Sequence, residues 1–216
     1  VTSLYDISPP VTPEMAVFPG DTPLTREVLM DTRRGDNLTL STIRATVHLG
    51  AHADGPNHYG PLPDGSEAPA IDERPLDLYI GECIVVRASV TPAEGLRVGV
   101  DDLDLPDALP PRVLICTGTY PDPRVFNQDF AGLEPGLIET LHERGVRTIG
   151  VDTPSVDPPS SKVLESHKVF LRLDMAIIEG LVLTDVPEGR YELIALPLKL
   201  VGFDASPVRA VLRSMD

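Results

Sequence analysis

The chain has 216 residues, 42% of them hydrophobic and 24% charged, with a formal net charge of −15. That length suits a single domain spanning residues 1–216 with a substantial core, and the acidic balance excludes nucleic acid and anionic membrane as natural partners, since both call for a basic surface. No apolar run approaches the roughly 18 residues of a membrane span.

Twenty-three prolines and seventeen glycines cut the sequence into short pieces, which favours strands and loops over long helices. The opening VTSLYDISPP has neither a basic start nor an apolar stretch, so no signal peptide is expected and the cytoplasm is the expected compartment. LTLSTIRATVHLG (38–50) alternates and predicts a strand with one covered face, running into HLGAHADGPNH (48–58). IGECIVVRASV (80–90) and PRVLICTG (111–118) predict two further strands, in which Cys83 and Cys116 are expected as reduced core thiols. EPGLIETLHERGV (134–146) predicts a helix with Leu137, Ile138 and Leu141 on its apolar face and Gly145 at its end; the strand TIGVDTP (148–154) follows directly. LDMAIIEGLVL (173–183) predicts a short apolar helix and YELIALPLKL (191–200) a strand. SPVRAVLRSMD (206–216) predicts a last helix, with Ser206 as cap and Pro207 in its first position. Together these elements describe an α/β domain, strand-rich, with helices on the outside.

The eleven residues His48-Leu-Gly-Ala-His52-Ala-Asp54-Gly-Pro-Asn-His58 hold three of the chain's five histidines. Gly50 and Gly55 allow the backbone to turn sharply, so that His48, His52 and Asp54 can aim at one point. Imidazole nitrogens and a carboxylate suit Zn²⁺ or Mn²⁺, and three protein ligands leave positions open for water, the layout of a catalytic site. Spacing alone does not say which histidine stays off the metal. Glu179 interrupts the apolar run MAIIEGLVL, where a carboxylate needs a partner; a metal, a helix cap or a salt bridge would each serve. His142 falls on the polar side of a predicted helix and is left out of the site.

The motif resembles the HxGTHxDxPxH signature of the metal-dependent cyclase family, most closely its formamidase branch. His48, Gly50, His52, Asp54, Pro56 and His58 match, and Ala51 stands where the signature has threonine. LYDISPPVTPEMAVFPGDTP and IEGLVLTDVPEGRYELIALPLKL resemble the family's opening and closing segments, so the likeness covers nearly the whole chain. It implies the family's swivelling β/β/α-like architecture and two divalent metal ions per subunit, zinc first, with manganese or cobalt accepted. His48 and His52 would hold one ion, Asp54 would bridge both, and His167 and Glu179 would complete the second. His58 would stay unligated as general acid and base. The implied reaction is hydrolysis of an aryl formamide, N-formyl-L-kynurenine, to L-kynurenine and formate; the implied assembly is a homodimer or tetramer. Phe18 occupies a pocket position where this branch commonly has tryptophan. It keeps an aromatic face and loses area and an N–H donor. A relative that opens a cyclic amide such as isatin, and a metal-binding protein without catalysis, are the competing readings.

Overall fold

Short segments between prolines and glycines leave room for many brief strands. The computed structural model describes residues 2–215. Among them the chain forms, in order, β1 (Leu4–Asp6), β2 (Thr25–Met30), β3 (Leu40–Arg44), β4 (His52–Asp54), β5 (Ile80–Arg87), β6 (Arg97–Val98), β7 (Arg112–Cys116), β8 (Gly132–Leu133), α1 (Pro135–Glu143), β9 (Thr148–Val151), α2 (Glu165–Leu173), β10 (Ala176–Glu179), β11 (Gly189–Ile194), β12 (Ala205–Pro207) and β13 (Val211–Ser214). None of the described helices is long and apolar enough to cross a membrane.

Nine strands make one sheet in the order β1-β13-β11-β5-β7-β9-β10-β4-β12. The middle four, β5, β7, β9 and β10, run parallel, and antiparallel strands flank them on both sides. Every residue of β7, β9 and β10 is buried, as expected of strands covered on both faces. Their side chains divide by alternation between two cores. Val113, Ile115, Ile149, Val151 and Ile177 pack beneath the helices with Leu137, Ile138 and Leu141 of α1 and Phe170 of α2. Cys83, Val85, Leu114, Ile178 and Leu193 face the opposite core, with Ile7, Tyr79 and Leu183 from the loops. A fully buried leucine such as Leu114 contributes about 1.5–3 kcal/mol by leaving water. Cys83 and Cys116 are buried and unpaired, as expected.

Three expected elements differ. The apolar run 173–183 forms the strand β10 in place of a short helix, because Ala176, Ile177 and Ile178 beside a parallel neighbour bury both their faces as a strand. The C-terminal segment 206–216 contains strand rather than helix in its described part, and Asp216 lies outside the described residues. There Ser206 accepts a hydrogen bond from the Leu198 amide instead of capping a helix, and Pro207 sits on an edge strand, where no amide is needed. The stretch 38–50 is strand only to Arg44, and no residue of β3 is covered. It pairs with β2 in a two-stranded ribbon with a bulge between Val28 and Met30, and Leu29, Leu40 and Ile43 are left exposed.

α1 begins at Pro135, whose missing amide costs nothing at a helix start, and Gly145 just past its end has φ of +89°. The sequence carries no such punctuation for α2. Leu164 before it adopts a left-handed conformation without a side-chain cap, and the free amides of Ser166 and His167 donate instead to Asp157, at 3.2 and 3.1 Å.

Candidate metal centre

The histidine motif enters the sheet as β4, an interior strand between β10 and β12. Register places His52 opposite Glu179 on one side and Pro207 on the other, with Ala53 opposite Ile178. Alternation then sends Ala53 into the core and carries His52, Asp54 and Glu179 to the other face. Helix α2 covers that face and delivers His167. Gly50 turns the chain before the strand with φ of +60°, and the three residues Pro56–His58 form a single 3₁₀ turn that brings His58 back over the site. Gly55 has an ordinary φ; its lack of a side chain matters because a Cβ would lie 2.8 Å from the Ile71 amide nitrogen. The site therefore lies at the carboxyl ends of β9 and β10, where open parallel sheets commonly bind ligands.

His52, Asp54, His167 and Glu179 are each no more than 3% exposed, while at the mouth His48 is half-buried and His58 exposed. Asp54 is the hub. Its Oδ1 lies 3.1 Å from His48 Nδ1 and 3.5 Å from His52 Nε2, and its Oδ2 lies 3.7 Å from His167 Nε2. Glu179 stands 3.2 Å from His52 Nε2 through Oε2 and 3.7 Å from His167 Nε2 through Oε1. Two sets of three donors, His48-Asp54-His58 and His52-Asp54-Glu179, have all their atoms within 4.8 Å, and Asp54 is common to both. His58 thus lies as near to His48 and Asp54 as a ligand would, whereas His167 belongs to neither set.

Each nitrogen that faces away from Asp54 is held. His52 Nδ1 donates to the Gly50 carbonyl at 3.0 Å, His48 Nε2 lies 3.0 Å from Asp204 Oδ2, and His167 Nδ1 lies 2.7 Å from Asp157 Oδ2. Such partners set the tautomer and leave the inward nitrogen free to ligate. The inward atoms have no hydrogen-bond partner: His52 Nε2 and both oxygens of Asp54 are buried and orphaned. A buried carboxylate in that condition is costly unless a cation answers it, and this nitrogen–oxygen donor set fits a divalent metal such as zinc, manganese or cobalt.

The charges respond accordingly. Burial alone would depress His48, yet the carboxylates of Asp54 and Asp204 raise its pKa to about 9. Burial opposes ionisation of Asp54, but His48, His52 and His58 around it hold it well below the ordinary range. His58 is pushed down, first by burial and then by His48 and His167, against the pull of Asp54.

The donors open onto a cavity of about 610 Å³. Phe18, Tyr120 and Phe126 wall it, and Phe18 meets Phe126 edge to face at 5.1 Å between ring centres. Among the described residues, no lysine or arginine lines it. Asp152, on the wall, accepts from the amides of Thr117 and Gly118 and from the Thr117 hydroxyl.

The Cyclase family model matches residues 5–158. The chain belongs to that family. A kynurenine formamidase of Bordetella petrii is 47% identical over 98% of both chains, and that of Bordetella pertussis is 44% identical over the same shares. Among solved structures, a predicted metal-dependent hydrolase from Bacillus stearothermophilus matches over 100% of each chain with a TM-score of 0.78 and 28% identity. Isatin hydrolase A of Labrenzia aggregata, at 20% identity and a TM-score of 0.76 over 100% of this chain and 94% of its own, shares the fold.

All seven residues singled out from sequence, His48, His52, Asp54, His58, His167, Glu179 and Phe18, line the one cavity or, for Asp54, lie beneath it. His142, left out, sits in the last turn of α1, away from it. Sequence reading missed Asp204, Asp157 and Arg97, and the aromatics Tyr120 and Phe126. A signal existed for Asp157, an acid between prolines just after a strand that ends in a turn, but nothing local joined it to a histidine ten residues on.

Proposed function

We propose that this chain is an arylformamidase that hydrolyses N-formyl-L-kynurenine to L-kynurenine and formate. The observation that carries it is the orphaned donor cluster around Asp54, opening beside His58 into an aromatic-walled cavity. Full-length identity of 44–47% to kynurenine formamidases supports the substrate. Residues 1–216 are read as one catalytic domain, acting in the cytoplasm in tryptophan degradation.

His48, His52 and Asp54 would hold one divalent ion, and Asp54, His167 and Glu179 a second. Zinc is the first choice, and manganese or cobalt suits the same atoms. When bound, such ions lower the pKa of water and polarise a carbonyl oxygen. The residues of the chain do the rest. Phe18, Tyr120 and Phe126 take the aryl ring by face and edge contacts, leaving the formyl end toward Asp54. His58, kept below the usual histidine pKa, is neutral near pH 7 and can accept a proton from water. It returns that proton to the anilide nitrogen as the C–N bond breaks, so that the oxygen of water ends on formate.

The test is hydrolysis of N-formyl-L-kynurenine by chelator-stripped protein, before and after zinc or manganese is restored. Metal-restored turnover is expected. Turnover of isatin in its place would move the assignment to a cyclic amide, and metal binding without either activity would leave a binding protein. Self-association as a dimer or tetramer is supported by the exposed apolar side chains of the β2–β3 ribbon, and light scattering that gives a monomer mass would remove that part of the proposal.

A further inference from the structure

Helix α2 presents His167 to the centre, and its first turn is held by a carboxylate from the preceding loop. The Asp157 side chain is fully buried. Its Oδ2 takes the His167 amide at 3.1 Å and lies 2.7 Å from the same residue's Nδ1. Its Oδ1 takes the Ser166 amide at 3.2 Å and lies 2.7 Å from Arg97 Nη1. Arg97, on β6, is itself anchored: it donates to the Leu133 carbonyl at 2.9 Å, the Ser166 hydroxyl at 2.7 Å and Glu165 at 2.8 Å.

Two backbone amides and the Arg97 guanidinium already donate to the two Asp157 oxygens, so the carboxyl group presents only acceptor atoms to the His167 ring. Nδ1 of His167 must therefore carry a proton. In the neutral ring the lone pair then resides on Nε2, the atom 3.7 Å from both Asp54 and Glu179. We infer that Asp157, locked by Arg97, is a positioning residue that sets the tautomer and aim of His167 as a ligand of the divalent-metal centre. The inference rests on His167 being a ligand, as proposed above.

Asp157→Asn separates this role from simple capping of α2. With its oxygen in the Oδ1 place, asparagine still accepts the Ser166 amide and Arg97, so one of the two bonds at the helix start is kept, while the His167 amide loses the acceptor it shared with the ring. Its amide, turned to the ring, donates to Nδ1 and drives the proton to Nε2, where it blocks ligation. Stripped wild type, D157N and His167→Ala are titrated with Zn²⁺ and Co²⁺, following bound metal by elemental analysis and the cobalt site by its visible absorption. The expected result for D157N is a 10–100-fold weaker affinity for the histidine-dependent equivalent and an altered cobalt spectrum, with the thermal midpoint of the stripped protein kept within a few degrees. Should D157N not accumulate folded, the same titration is made on D157N combined with Arg97→Met, which removes both charges of the pair together. D157N or the double variant binding both metals as wild type does, while H167A loses one equivalent, overturns the positioning role alone. Unchanged binding in H167A overturns the ligand assignment, and the positioning role with it.

Discussion

Gly180 joins the two chain segments on which the centre depends. It follows Glu179, its φ is +67°, and a Cβ built on it would stand 2.2 Å from the Gly50 carbonyl oxygen and 2.8 Å from the Gly50 carbonyl carbon. Those are backbone atoms of the turn that leads into His52, so no side chain can swing aside. Gly180→Ala meets two penalties: about 1–2 kcal/mol for a non-glycine residue in the left-handed region, and roughly 1–3 kcal/mol for overpacking. The sum, about 2–5 kcal/mol, corresponds to a thermal midpoint lower by roughly 4–20 °C in a chain of this size. Metal affinity should fall as well, because relief of the contact parts His52 from Glu179, now 3.2 Å apart. Gly136→Ala on α1 is the matched control, since its Cβ meets nothing within 4 Å at an ordinary φ. Urea unfolding of both variants, with and without zinc, tests the reasoning. A G180A protein within about 0.5 kcal/mol of wild type would refute it, because so small a change is what ordinary surface substitutions give.

Removing the His58 imidazole (His58→Ala) should leave the bound metal in place and lower kcat by about 10²–10⁴, the usual share of an acid–base group. A variant that lost metal yet turned over in excess zinc would make His58 a ligand, a possibility the closeness of its ring to His48 makes worth checking. Phe18→Ala should raise KM by about 5–30-fold, for a loss of roughly 1–2 kcal/mol of aromatic contact, with kcat nearly kept; Phe18→Trp should lower KM. Because the His48 proton must leave before a metal binds, and its pKa is about 9, apparent zinc affinity should climb with pH and level off near that value. For the metal-free protein the sign is opposite. A raised histidine pKa stabilises the fold at low pH, and that share is lost as pH rises from about 6.5 through about 9, measurable in urea midpoints. Finally, with no lysine or arginine in the cavity wall, formanilides that lack the amino-acid tail should be hydrolysed with KM raised by less than about tenfold; a much larger loss would mean that the tail's carboxylate is read elsewhere.

The parallel centre of the sheet was legible because strands buried on both faces must be largely apolar, as RVLIC and TIGV are after their first residues, Arg112 and Thr148. Helix α1 carried its own start and stop in Pro135 and Gly145. Helix α2 did not, since its cap comes from Asp157 rather than from a neighbour in sequence. AIIE and VLRS are too short for period to separate strand from helix, and only their sheet neighbours decide. His48, His52 and Asp54 were legible because histidine is scarce here and clusters at one place, and Glu179 because it interrupts an apolar run; His167 came only with the family resemblance. The residues behind them were not, because an aspartate that orients a histidine carries no mark distinguishing it from one that faces water. Tyr120 and Phe126 reach the cavity by the path of a loop, which no periodicity describes.

The edge position of β12 bears on how the molecule is made. β4, which carries His52 and Asp54, is flanked by β10 and β12, and both are supplied by the last fifth of the chain. During synthesis the histidine motif therefore waits, with both edges of a short strand unpaired, until β10 and β12 have emerged. Contacts between such distant segments form late and slowly. A chain cut short before Asp204 would leave one side of β4 open, and Asp204 would be missing from behind His48. The protein has no competent half: the centre can form only once the chain is almost whole.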